Sequence, residues 1–173
     1  MPIITIDPFT NTKQEKTFWC WAAVTANCYN ALNPSTVPPM SQCDVVTKVG
    51  QNCNTNAPYL LAWALSDVGI ADENPTWPRV DVVELEFEGF SEPFDPPEGV
   101  KAEPVCAQIR FPGGALHFVA ITEINTDNQH VWVADPNVGG ASVEFTWDDF
   151  IKNYNYVGGA AKNLQRVVNN AGA

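Results

Sequence analysis

Cys20 stands between Trp19 and Trp21, where the Ala-rich stretch FWCWAAVTANCYNAL (Phe18–Leu32) begins. Apolar residues recur there at three- and four-residue intervals, which predicts a buried helix with the thiol at its N-terminal end. Such a thiol faces unpaired backbone N–H groups and the positive end of the helix dipole, and both favour the nucleophilic thiolate. His117 follows Gly113-Gly114-Ala115-Leu116 and opens the apolar run FVAITEI. At the mouth of a strand beside flexible glycines, its ring can turn into a cleft. The chain has two histidines, and His130, between a turn and the run VWVADP, reads as an exposed loop residue. Asp135 closes the run VWVAD ahead of Pro136. If Phe118–Ile124 and Val131–Ala134 form a hairpin about NTDNQ, Asp135 lies opposite residues just past His117 and can orient the imidazole. A slip of one residue would turn it to the other face, so this role depends on register. Gln14, six residues before Cys20, offers an amide that can join the Cys20 N–H in holding an oxyanion.

The elements that must position these groups follow from pattern. Met1 to Lys16 reads as an extended arm, and Asn33-Pro34 ends the first helix. Ser41 and Asp44 fit the N-cap and first turn of a second helix in SQCDVVTKV, ended by Gly50. Ala57 to Val68 predicts a third helix, with Gly69 as its stop. Beyond it the period changes. Val80–Phe90 alternates acidic and apolar residues as a half-exposed strand does, and Pro104–Phe111, Phe118–Ile124, Val131–Ala134 and Ser142–Thr146 are short β-rich runs. Trp147–Tyr154 predicts a short helix. Helices first and an antiparallel sheet after them is an α+β layout.

Taken together, Gln14, Cys20-Trp21-Ala22-Ala23, Gly114-Ala115-Leu116-His117-Phe118-Val119 and Val133-Ala134-Asp135-Pro136 resemble the papain-like cysteine peptidases. The similarity is greatest to the compact bacterial group that includes plant-pathogen effector proteases and relatives of bacteriocin-leader peptidases. In that group a WCWAA box opens the central helix, a segment like Ser41-Gln42-Cys43 begins the next, and a DP follows the His strand. The resemblance spans roughly residues 14–150. It implies one papain-like domain over residues 1–173. An N-terminal helical lobe (about 14–70) would carry the nucleophile on its central helix, and a C-terminal antiparallel β-sheet lobe (about 78–160) would complete it. It implies Cys20 as nucleophile, His117 as general base and then acid, Asp135 as orienter and Gln14 as oxyanion donor. The activity so implied is peptide hydrolysis through a thioester. An acyltransferase or transglutaminase-like enzyme with the same triad, and a non-catalytic peptide-binding module, are the alternatives. The Cys-Gly-Ser/Ala-Cys-Trp signature of plant papains is absent, since Phe18-Trp19 precede the nucleophile, and the Cys-to-His interval is shorter than in those enzymes.

Composition narrows the field further. At 173 residues, 45% of them hydrophobic, the chain has room for one domain with a real core. Nine Lys and Arg against twenty Asp and Glu leave a formal net charge of −11. That argues against nucleic-acid partners, which require clustered cations, and against an anionic membrane surface. The expected partner is a peptide or protein substrate, bound by a monomer. Five cysteines leave one over from any pairing. Cys28, two turns beyond Cys20, and Cys106 read as core, while Cys43 and Cys53 are spaced to close a loop by disulfide. No C-x-x-C or His-x-x-x-His spacing suggests zinc, and no glycine-rich phosphate loop suggests a nucleotide, so neither metal nor cofactor is expected. No conventional secretory signal is visible. An exported effector, a trimmed secreted enzyme and a cytoplasmic protein all fit.

Overall fold

The computed structural model describes residues 3–71, 102–154 and 159–166. Among the described residues, three helices precede most of the sheet: α1 (Cys20–Leu32), α2 (Gln42–Lys48) and α3 (Leu61–Asp67). A short strand β1 (Ile3–Thr5) lies before them, and β2 (Val105–Arg110), β3 (Leu116–Asn125), β4 (His130–Ala134), β5 (Val143–Thr146), α4 (Trp147–Lys152) and β6 (Ala160–Arg166) follow. The mix is α+β, with the antiparallel order β5-β4-β3-β2-β6 and β1 paired to β3. The expected strand Val80–Phe90 lies outside the described residues.

Local chemistry explains the boundaries. Ser41 and Asp44 form a capping box: Ser41 Oγ accepts from the Asp44 N–H at 3.1 Å, and Asp44 Oδ2 accepts from the Ser41 N–H at 2.8 Å. The expected helix over Ala57–Val68 is shorter at its start. Pro58 disfavours helical backbone at Ala57, whose carbonyl instead accepts from the Trp21 indole at 3.1 Å. α1 likewise starts at Cys20 rather than Phe18. The Phe18 N–H is taken by Asn56 Oδ1 and the Trp19 N–H by the Lys16 carbonyl, which makes the preceding residues a turn.

The sheet separates two apolar clusters. Val105, Ala107, Ile109, Val119, Ile121, Ile124, Val131 and Val133 join Phe145, Phe150 and Tyr154 in one. Cys106, Phe118, Ala120 and Ala134 join the buried faces of α1, α2 and α3 in the other. Side chains alternate along β2 and β3 as pleating requires. Ile121 and Ile124, three apart, share a cluster because the β3–β4 register shifts between Ile121 and Glu123. α1 packs against β3, so the helix that starts at Cys20 rests on the strand that carries His117.

Candidate active site

Cys20 is the first residue of α1, with Trp19 at the N-cap and no side chain capping the helix. Its N–H is therefore one of the donors that a helix start leaves without an intrahelical partner. The flanking tryptophans are almost wholly buried. The Trp19 indole donates to the Thr55 carbonyl at 2.9 Å and the Trp21 indole to that of Ala57, which fixes the helix start to the loop ahead of α3.

His117 and Asp135, 6% and 5% exposed, meet in the interior, with His117 Nε2 2.8 Å from Asp135 Oδ1. The pairing that brings them together sets Ala134 opposite Ala120, reached through the register shift between Ile121 and Glu123. The carboxylate has further donors: the Asn137 N–H on Oδ1 and the Tyr154 hydroxyl on Oδ2, each at 2.8 Å. With Nε2–H directed at Asp135, Nδ1 is the ring nitrogen left for the thiol. Burial pulls the His117 pKa down. The hydrogen bonds to Asp135 and Cys20, and the charges of both, outweigh burial and raise it from 6.5 to about 9. Burial pushes Asp135 up, but the His117 bond and charge, the Asn137 N–H and the Tyr154 hydroxyl hold its carboxyl below the ordinary value. The site holds an ion pair at neutral pH.

Gln14 is placed beside this cluster, with its backbone N–H donating to the Pro136 carbonyl at 2.8 Å. Its side chain faces the turn ahead of Cys20. Nε2 donates to the carbonyls of Lys16 at 3.0 Å and Thr17 at 2.8 Å, while Oε1 is buried with no hydrogen-bond partner among the described residues. Both amide hydrogens are thus spent on the turn, and an oxyanion role requires one of them to be released. His130 is not a loop residue. It begins β4, paired with Thr146, and its Nδ1 lies 2.6 Å from Oε1 of Glu144 on the neighbouring strand. Cross-strand pairing, which the turn sequence before it did not signal, holds it there.

Three residues of this region carry no sequence signal of their role. Tyr154 lies nineteen positions beyond Asp135, at the end of the α4 segment. Asn137 reads as an ordinary Asp-Pro-Asn turn. Gln42, 4% exposed, looks like a helix-start polar residue, yet its amide bonds to backbone on both sides of Gln14. Cys43 and Cys53 form a disulfide, and Cys28 and Cys106 are buried free thiols with sulfurs 3.6 Å apart. Among the described residues, no group of three or more His, Cys, Asp or Glu is placed to hold a metal, and no helix is long and apolar enough to cross a membrane. A cavity of about 370 Å³ between the N-terminal arm and β3–β4 is lined by none of the four candidate residues, although Asn11, on its wall, donates to the Asp135 carbonyl. The chain matches no protein-family model and no curated protein sequence.

Proposed function

We propose that the protein is a papain-like cysteine peptidase that hydrolyses peptide bonds through Cys20, His117 and Asp135. One observation carries the reading: a buried His117–Asp135 pair whose imidazole is influenced by Cys20, the thiol at an uncapped helix start. With its pKa near 9, His117 is an imidazolium at neutral pH, charged to give its proton to a leaving amine.

Cys20 Sγ attacks the peptide carbonyl, and the carbonyl π electrons move to oxygen. The Cys20 N–H receives the oxyanion. Gln14 adds a second donor by turning Nε2 from the Thr17 carbonyl. This gives up a neutral bond worth about 0.5–1.5 kcal/mol for a charge-assisted one roughly twice as strong. Collapse of the tetrahedral intermediate breaks the C–N bond, and His117 gives its proton to the leaving amine. Water then attacks the thioester as His117 takes a proton from it, and collapse releases the acid and restores the Cys20 thiolate beside the His117 imidazolium. An oxyanion donor contributes about 10²–10³-fold and acid–base assistance about 10²–10⁴-fold.

Alkylation of the native protein with iodoacetamide at neutral pH tests the activation. Cys28 and Cys106 are internal controls, being 0% and 1% exposed, with burial and the neighbouring Cys28 pushing the Cys106 thiol well up. Cys20 labels first. Labelling of Cys20 no faster than these two removes the activated thiolate and the reading with it.

A further inference from the structure

Gln42 is the first residue of α2 and is almost fully buried. Its Nε2 donates to the Lys13 carbonyl at 2.8 Å, and its Oε1 accepts from the Glu15 N–H at 2.9 Å. The two bonds bracket Gln14. The Gln14 N–H donates to the carbonyl of Pro136, next to Asp135. Backbone at three successive residues is thereby tied both to α2 and to the triad carboxylate's own segment.

The anchor itself is rigid. The capping box fixes the start of α2, and Val45 and Val46 are fully buried in the cluster that contains Cys20. Cys43, next to Gln42, is bonded to Cys53, whose carbonyl accepts from the Lys16 ammonium. The same loop supplies Thr55 and Ala57 to the two tryptophans that flank Cys20. Gln42 and the nucleophile are therefore referenced to one framework, which a surface glutamine would not need.

We propose that Gln42 is a positioning residue for the oxyanion side of the site. It fixes the backbone around Gln14 so that only the Gln14 side chain moves when an oxyanion forms. The inference rests on the peptidase reading. It predicts a separation between two kinds of Cys20 reactivity. Alkylation needs a thiolate and no oxyanion donor, whereas acyl transfer needs both. Gln42→Met keeps the length of the side chain and removes both bonds. Misplacement of a reacting group by about 1 Å costs on the order of 10²-fold, so an effect of about 10–100-fold is expected in acyl transfer alone.

The experiment compares wild type and Gln42→Met in two assays: the rate of Cys20 alkylation by iodoacetamide, and the steady-state turnover of a set of N-acyl amino-acid p-nitrophenyl esters. Should Gln42→Met fail to fold, Gln42→Glu takes its place, since it retains the acceptor for Glu15 and loses the donor for Lys13. The expected result is alkylation within about twofold of wild type, kcat lowered by about 10–100-fold and KM within about threefold. Unchanged kcat, or equal falls in alkylation and kcat, overturns the positioning role alone. Slow alkylation of Cys20 in the wild type overturns the peptidase reading and this inference with it.

Discussion

Tyr154→Phe removes one hydroxyl from the interior and leaves the ring in place. That ring packs 5.1 Å from Phe145 and 6.0 Å, edge-on, from Phe150, contacts that phenylalanine keeps. What is lost is the 2.8 Å hydrogen bond to Asp135 Oδ2. Donor and acceptor residues are 1% and 5% exposed, so water does not replace the bond. A hydrogen bond to a charged group is worth about 1.5–3 kcal/mol, and that is the expected loss of stability. A second consequence follows from electrostatics. The hydroxyl helps hold the Asp135 carboxyl below its ordinary value. Without it the carboxylate, still ionised but with one donor fewer, attracts the imidazolium proton more, and the His117 pKa moves up from about 9. Urea unfolding at neutral pH reads the first effect, as a lower midpoint at unchanged slope. The alkaline limb of the pH–rate profile reads the second, by shifting to higher pH. A stability change below about 0.5 kcal/mol together with an unmoved limb would falsify the claim that Tyr154 sustains the charge on Asp135.

Three further outcomes are expected. Because folded His117 keeps its proton up to about 9 and the unfolded residue only to 6.5, its contribution to stability is complete below 6.5 and is lost as pH rises through 9. At about 1.36 kcal/mol per unit this amounts to roughly 3 kcal/mol. A urea series in the wild type should show the decline, and His117→Gln should flatten it; a flat wild-type profile contradicts the ion pair. Asp135 works in the opposite direction, since its depressed pKa contributes stability above about 3.8 that is lost as pH falls through the folded value. Asp135→Asn should therefore reduce the loss of stability on acidification, with equal acid midpoints the contrary result. Reduction of the Cys43–Cys53 disulfide, with its sequence separation of 10, removes about 3 kcal/mol by loop-entropy reasoning. Guanidinium unfolding with and without a dithiol measures this, and identical midpoints would show that the loop is held by its hydrogen bonds alone.

Much of this arrangement is legible in the chain because the signals are local. The Ser41–Asp44 cap, the stop at Gly50 and the hairpin about NTDNQ each depend on a few neighbouring residues. The alternation of β3 and β4 places Asp135 near His117, but the one-residue register shift between Ile121 and Glu123 that sets its final position has no signal in the sequence. Long-range partners are another matter. Nothing in the spacing of Tyr154 from Asp135 distinguishes it from any buried tyrosine, and Gln42 acquires its role only because α2 happens to run beside residues 13–15. β6 has no sequence signal either: Ala160–Arg166 contains no β-branched or aromatic residue, and its pairing with β2 overrides that weak propensity. His130 reads as a loop residue because the adjacent turn is obvious, whereas its strand pairing with Thr146 depends on residues sixteen positions away.

The central claim is that Cys20 forms a covalent acyl intermediate with a peptide. Incubation of the wild type and Cys20→Ala with a defined peptide library, followed by mass spectrometry of both peptides and protein, tests it most directly. New peptide termini in the wild-type sample, a transient acyl adduct on Cys20 and no cleavage by Cys20→Ala are the predicted result. Equal cleavage by the two proteins, or peptides left intact by the wild type, would contradict it.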